Sequence, residues 1–276
     1  LSIVQTCLLH EPANQRANLL YALILSWLNR HEEARNSIEK SLHRWPESND
    51  AFITASQIEK NAGNSKGQLA HLNSMLAIHN LAPVSTSSPS GAITPEFLST
   101  EIQANMVKGP LVSIVMTTYK RDPLLDAAIH SILNQTYQNI ELLIVDDCSP
   151  DDNFSYLEEL SAGDERVRVF QMKENGGTYL AKNFGMTQAN GDFVGFMDSD
   201  DYCHAQRIEK QVSLLQSNPD VMGVTHDYFR IDESSNIEFR GIGAIRMACI
   251  SLIIRSKVID DIGFFDYLRV VADTEY

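Results

Sequence analysis

Three carboxylates crowd into one four-residue stretch, Asp198-Ser199-Asp200-Asp201, and a further pair stands at Asp146-Asp147. An Asp-x-Asp turn offers hard oxygen ligands without a closed cage, the donor set that Mg²⁺ or Mn²⁺ takes when most of its remaining ligands are phosphate oxygens and water. The cation is needed for a physical reason. A carboxylate repels a diphosphate by about 1 kcal/mol per charge pair at roughly 4 Å even in bulk water, and a bridging cation reverses that sign. Asp198 and Asp200 are therefore the expected metal ligands. A calcium loop of the EF-hand type does not fit, because Tyr202 stands at the next ligand position and the required glycine is missing. The plainer alternative, helix capping, uses one carboxylate where this stretch has three.

The elements needed to position these residues can be read from the apolar runs. From residue 111 onward, strand-like runs at 111–116, 140–145, 167–171 and 193–197 alternate with helical stretches at 123–134, 154–160, 178–189 and 205–217. Such alternation predicts an α/β fold, a mostly parallel sheet flanked by helices on both faces. Ligands of open parallel sheets bind beyond the carboxyl ends of the strands. The first run ends in Thr117-Thr118-Tyr119, the second in Asp146-Asp147 and the last in the aspartate stretch. Tyr119 can cover a base, and Asp147 can accept from a base N–H or a ribose hydroxyl; Asp146 reads as structural. Gly176-Gly177 before the helix at 178 allows close backbone approach to a ligand. Lys182 on that helix could face a diphosphate, although a solvated lysine is the simpler reading. His204 stands three residues after Asp201, as an indirect ligand to metal or phosphate, while His226 and the others have no metal-site spacing. Gly263 reads as a helix C-cap. The first strand-to-helix turn, TTYKRDP, has neither the G-x-G-x-x-G of a dinucleotide fold nor a phosphate-loop motif.

Four blocks in order, VSIVMTTYKR, SILNQTYQNIELLIVDDCSPD, ENGGTYLAKNFGM and GDFVGFMDSDD, resemble the family 2 glycosyltransferases of the GT-A fold, a Rossmann-like nucleotide-diphospho-sugar transferase fold. The resemblance runs from about residue 111 to 276. It implies that Thr117, Tyr119 and Asp147 contact the nucleoside, and that Asp198 and Asp200 contact ribose and the metal-bound diphosphate. Gly177 and Lys182 complete the nucleotide-sugar set. The implied donor is a nucleotide-diphospho-sugar, commonly a uridine diphosphate sugar, with Mn²⁺ or Mg²⁺, and the implied acceptor is a hydroxyl of a glycan or polysaccharide. The closing block IGFFDYLRVVADTEY is similar to the segment carrying the catalytic base, which places Asp273 in that role, with inversion at the anomeric carbon. Relatives often show Glu-Asp where this chain has Ala272-Asp273.

The first 81 residues are different. Pro12 and Pro46 lie 34 apart, as do Ala22 and Ser56, Ile24 and Ile58, Ile38 and Leu72, with Asn29 or Gly63 at the intervening turn. This period resembles the tetratricopeptide repeat, though the usual Trp, Gly and Tyr of the first helix are missing, and a generic pair of helical hairpins is the alternative. Helices are expected at 15–28, 32–44, 50–61 and 65–79. The domain plan is repeats at 1–81, a Ser/Pro-rich linker at 82–109 and the transferase domain at 110–276. The repeats would dock a protein partner, self-associate or extend the structure. A chain that starts at Leu1 and stops just after Asp273 reads as a fragment.

A net charge of −14 argues against a nucleic-acid binder. Four dispersed cysteines without a C-x-x-C pair indicate neither a disulfide framework nor a zinc site and suit a reducing cytoplasm, with the inner face of the membrane as a peripheral location. No run is long enough for a membrane span. Two other functions remain open: a sugar-nucleotide nucleotidyltransferase, which would want a Gly-rich, basic first turn, and a non-catalytic nucleotide-binding scaffold.

Overall fold

The computed structural model describes residues 1–100, 102, 107–239 and 243–266. It divides into two compact units, Leu1–Ile102 with Tyr228–Arg246, and Gln103–Asp227 with Met247–Tyr276.

The first unit is built on five helices, α1 (Ser2–His10), α2 (Gln15–Trp27), α3 (His31–Arg44), α4 (Asn49–Asn61) and α5 (Ser65–Ile78). The last four stand within one or two residues of expectation; α1 was not expected, and none of its residues is buried. The 34-residue period has a structural counterpart. Asn14 and Ser48 cap α2 and α4 in the same way, accepting from the amides of Ala17 and Ala51, which satisfies donors that an open helix start leaves unpaired. Asn29 and Gly63, also 34 apart, take positive φ values of 57° and 73° at the two turns. Ala22, Ala34, Ala51 and Ala55 are fully buried where the helices meet, because small side chains let the backbones approach.

The described part of the stretch expected to be a linker carries regular structure. It forms β1 (Val84–Thr86), paired antiparallel with β2 (Leu98–Thr100), and buries Ile93 to 1% exposure. Within the charge-free residues 82–95, Val84, Ile93 and Thr94 are buried. Tyr228–Arg246 belongs to this unit as well, far away in sequence. Gln57 Oε1 accepts from the amide of Ile237 at 2.6 Å, Gln68 Nε2 donates to the carbonyl of Ser235 at 2.7 Å, and Ser235 Oγ accepts from the amide of Ile93 at 2.9 Å. Ile53, Leu72, Met75, Ile93, Ile237 and Ala244 close an apolar cluster around these bonds. Two carboxamides from α4 and α5 thus read the backbone of an extended segment of the same chain.

The second unit holds a six-stranded sheet in the order β5-β4-β3-β6-β8-β7. Its strands are β3 (Val112–Thr118), β4 (Ile140–Asp146), β5 (Val167–Gln171), β6 (Phe193–Asp198), β7 (Gly223–Val224) and β8 (Ile253–Arg255). The first four are mutually parallel, and β8 runs antiparallel to β6 and β7. Helices α6 (Leu125–Leu133), α7 (Asn153–Ser161), α8 (Thr178–Thr187), α9 (Arg207–Ser217) and α10 (Lys257–Ile262) connect or follow them. Alternation along β3 explains two cores. Ile114 and Met116 face the cluster with α6, α7 and α9, and Val115 faces the other with Tyr179 and Met186 of α8. The α/β architecture expected from the sequence, a mostly parallel sheet between helices with a helical N-terminal region, is the one observed. Gly263 ends α10 with φ of 86°, a value that costs glycine little.

At the amino ends of the strands a buried carboxylate ties three of them together. Glu141 accepts from Ser113 Oγ at 2.6 Å, from the amide of Asn190 at 2.7 Å and from Arg168 Nη1 at 2.9 Å. Burial penalises its charge, but these hydrogen bonds outweigh the penalty and hold the Glu141 carboxyl below its ordinary range. A lowered folded pKa contributes stability above the unfolded value, lost as pH falls through the folded one. Glu141→Ala is therefore expected to cost about 3 kcal/mol at pH 7 in urea unfolding. The gap to the wild type narrows as the pH is taken below about 4; a gap independent of pH would show that the charge is not what stabilises.

Candidate functional site

Strand register brings the predicted residues to one rim. Thr117 stands opposite Val145 on one side and Asp198 on the other, and Thr118 stands opposite Asp146. The carboxyl ends of β3, β4 and β6 therefore finish at the same level, and the side chains that follow them emerge together.

Asp146 and Asp147 divide their work. Asp146 is fully buried, accepting from the amide and hydroxyl of Ser149, from Asn153 Nδ2 at 2.8 Å and from Gln171 Nε2 at 3.3 Å. Ser149 Oγ in turn accepts the amide of Lys120 at 2.7 Å. Lys120 is held at φ of 65°, a left-handed conformation that a side-chain-bearing residue adopts at some cost. This chain of bonds fixes the turn that presents Tyr119, which is 48% exposed with Lys120 Nζ 5.5 Å from its ring centre. Thr117 shares a 2.9 Å hydroxyl–hydroxyl hydrogen bond with Thr178, the first residue of α8.

Asp147 is only 3% exposed, and its two carboxylate oxygens accept the amides of Gly176 at 2.9 Å and Gly177 at 2.8 Å. These are the amides that the sequence suggested for close approach to a ligand. They are used instead to seat an internal carboxylate at the N-terminus of α8, a favourable place for negative charge. Gly177 has φ of 89° there, so the turn needs a residue without a Cβ.

The simpler expectation for Lys182, a solvated lysine, is corrected. The residue is 5% exposed, and its Nζ lies 3.3 Å from Asp198 Oδ1 and within 6 Å of the Tyr179 and Phe196 ring centres. Helix α8 packs its i and i+4 positions toward the sheet, which carries the ammonium to the end of β6.

Carboxylate oxygens of Asp198, Asp200 and Asp201 all lie within 4.8 Å of one another, Asp198 half-buried and the other two exposed. The donor set is hard and all-carboxylate, which fits Mg²⁺ or Mn²⁺ in a turn that leaves ligand positions for phosphate. Capping does not account for these residues. Helix α9 begins at Arg207 behind Gln206, with no side-chain cap, two residues later than expected. His204 Nδ1 accepts from the amide of Gln206 at 3.2 Å. His226 Nδ1 donates to the carbonyl of Asp227 at 2.8 Å, and burial, with Arg207 nearby, pushes its pKa down to about 4, so the ring is neutral near pH 7. Asp273 lies outside the described residues.

Residues 113–261 match the model of Glycosyl transferase family 2. The chain belongs to that family. Over 113 residues it is 40% identical to an uncharacterized glycosyltransferase of Haemophilus influenzae, covering 41% of this chain and 45% of that protein. Over 106 residues it is 36% identical to TuaG of Bacillus subtilis, provisionally named a teichuronic acid biosynthesis glycosyltransferase, covering 38% of this chain and 42% of that protein. The matches thus span less than half the length of these relatives. Among solved structures, S. aureus TarS 1-349 in complex with UDP-GlcNAc aligns with a TM-score of 0.47 at 20% identity, over 59% of this chain and 50% of that one. No helix among the described residues is long and apolar enough to cross a membrane.

Sequence reasoning missed Thr178, Ser149, Asn153 and the Ser113–Glu141–Asn190 bonds. Only Thr178 carried a local signal, a hydroxyl directly after the Gly-Gly turn.

Proposed function

We propose that this family 2 domain is the donor-binding and catalytic core of an inverting glycosyltransferase. It moves a sugar from a nucleotide diphosphate donor, of the uridine type, to a hydroxyl of a glycan or polysaccharide acceptor. The observation that carries this reading is the common level of Thr117 and Asp198 in the strand register, with Tyr119 exposed on the same rim. A relative named for teichuronic acid biosynthesis supports a polysaccharide acceptor.

In this reading Tyr119 stacks on the base and Thr117 accepts or donates at the nucleoside, while Asp147 acts by holding the Gly176-Gly177 turn against which the donor lies. Asp198, Asp200 and Asp201 hold Mn²⁺ or Mg²⁺, which when bound supplies Lewis-acid stabilisation to the departing diphosphate. Lys182 adds fixed positive charge on the same side. Asp273 takes the proton of the acceptor hydroxyl as that oxygen attacks the face opposite the leaving group, which gives inversion. The N-terminal helices, tetratricopeptide-like in period, serve assembly or acceptor placement, and the protein works in the cytoplasm, at the inner face of the membrane.

Calorimetry with uridine diphosphate tests the donor site. Binding is expected to require Mn²⁺ or Mg²⁺ and to weaken by about a hundredfold or more in Asp200→Ala. Equal affinity with and without metal would sink the proposed metal bridge. Transfer from a panel of nucleotide sugars, lost in Asp273→Asn with uridine diphosphate binding intact, separates an enzyme from a scaffold; pyrophosphate release from a nucleoside triphosphate and a sugar phosphate would favour a nucleotidyltransferase.

A further inference from the structure

The ammonium of Lys182 occupies an unusual place for a cation in a site read as metal-binding. It is 5% exposed, flanked by the rings of Tyr179 and Phe196, and 3.3 Å from the same Asp198 whose carboxylate stands within 4.8 Å of those of Asp200 and Asp201. A buried side chain on a helix cannot swing out of the way as a surface lysine does, so a divalent ion on Asp198 has a fixed positive neighbour.

We propose that Lys182 couples metal entry to donor entry: it weakens the hold of the bare aspartate turn on a divalent cation and strengthens the hold of the loaded turn on a diphosphate. The inference rests on the donor-site reading above. Its physical basis is one of sign. Before the nucleotide arrives, the ammonium repels the incoming cation and shares the Asp198 oxygen with it. Once the diphosphate is in place, the N–H groups of the ammonium turn from Asp198 to the phosphate oxygens, so the competition for Asp198 that weakens the bare site is removed when both ligands are present. The result is reciprocal coupling, in which nucleotide tightens metal and metal tightens nucleotide by the same factor. Lys182 is thus a positioning and coupling residue, and its effect should appear in binding without any turnover.

The test compares the whole chain with Lys182→Met, which keeps the length and apolar stem, and with Lys182→Gln as a second variant should methionine disturb packing. Mn²⁺ binding is followed by electron paramagnetic resonance with and without uridine diphosphate, and thermal melts establish that each variant is folded. In the wild type, nucleotide should tighten Mn²⁺ strongly. In Lys182→Met, Mn²⁺ alone should bind about tenfold tighter than in the wild type, and the enhancement by nucleotide should fall by about tenfold. A merely structural role for Lys182 would weaken both measurements together, and that result, or unchanged Mn²⁺ affinity in a folded variant, overturns the proposal while leaving the donor site standing. If the wild type itself shows no nucleotide-dependent Mn²⁺ binding, the donor-site reading and this inference fail together.

Discussion

Asp147→Ala is expected to abolish measurable uridine diphosphate binding and to cost about 3 kcal/mol of stability. The reason lies in what the carboxylate holds. Both of its oxygens accept backbone amides, those of Gly176 and Gly177, and alanine leaves two donors at the head of α8 without their internal acceptor. The turn then loses its anchor to the end of β4, and with it the placement of Thr178 against Thr117, a 2.9 Å contact on the rim. Asparagine is no rescue, because one of its two polar atoms is an NH₂ group that would face an N–H. Calorimetry gives the binding loss, and native-state hydrogen exchange gives the cause. The amides of residues 176 and 177 should lose protection in the variant. Binding that disappears while their protection and the overall stability stay at wild-type levels would show that Asp147 acts by touching the nucleotide directly and does not build the turn.

Gly191→Ala should produce the largest stability loss of any single methyl addition considered, about 4 kcal/mol. A Cβ there would lie 2.7 Å from the carbonyl of Phe193 and from the amide nitrogen of Ser113, and 2.8 Å from the carbonyl of Leu111. All three are backbone atoms, so no side-chain rotation can relieve the overlap. The strain falls where β6 enters the sheet beside β3, next to the hydrogen bond from the Gly191 amide to Ser113 Oγ. The whole register that brings Asp198 level with Thr117 follows from that entry point. Gly163→Ala is the control, since its nearest neighbour outside its flanking residues is a carbonyl at 3.4 Å, and it should leave stability within about 0.5 kcal/mol of wild type. Urea midpoints that differ little between the two variants would mean that the strand entry relaxes more readily than its packing implies.

Much of the second unit is legible in the sequence. The apolar runs that gave β3, β4 and β6 are buried on both faces, and a continuous run bounded by turn residues is a strong signal for a central parallel strand. Helices α6 to α9 stood within about two residues for the same reason, an apolar face of regular period. The region after α9 was not legible: β7 has two residues and β8 three, too short for periodicity to register. Local composition marks residues 82–95 as linker and says nothing of the distant partners their buried positions meet. Ile93 is buried through contact with Ser235, and Gln57 and Gln68 find theirs at Ile237 and Ser235.

The aspartate stretch shows the same division. Sequence by itself determined that Asp198, Asp200 and Asp201 would follow a buried strand and emerge at a sheet rim, since strand burial and turn chemistry are encoded locally. It also determined the 34-residue spacing of caps and turns in the helical unit, because each cap depends on a residue and the amide three positions on. Only the tertiary structure decided that Lys182 is sealed against Asp198, that Asp147 is spent on the Gly176 and Gly177 amides, and that Tyr228–Arg246 lies with the helices. Each of these pairs charges or backbone groups from segments far apart in the chain. Their stability comes from excluding water around a specific partner, and no local pattern of residues records which partner that will be.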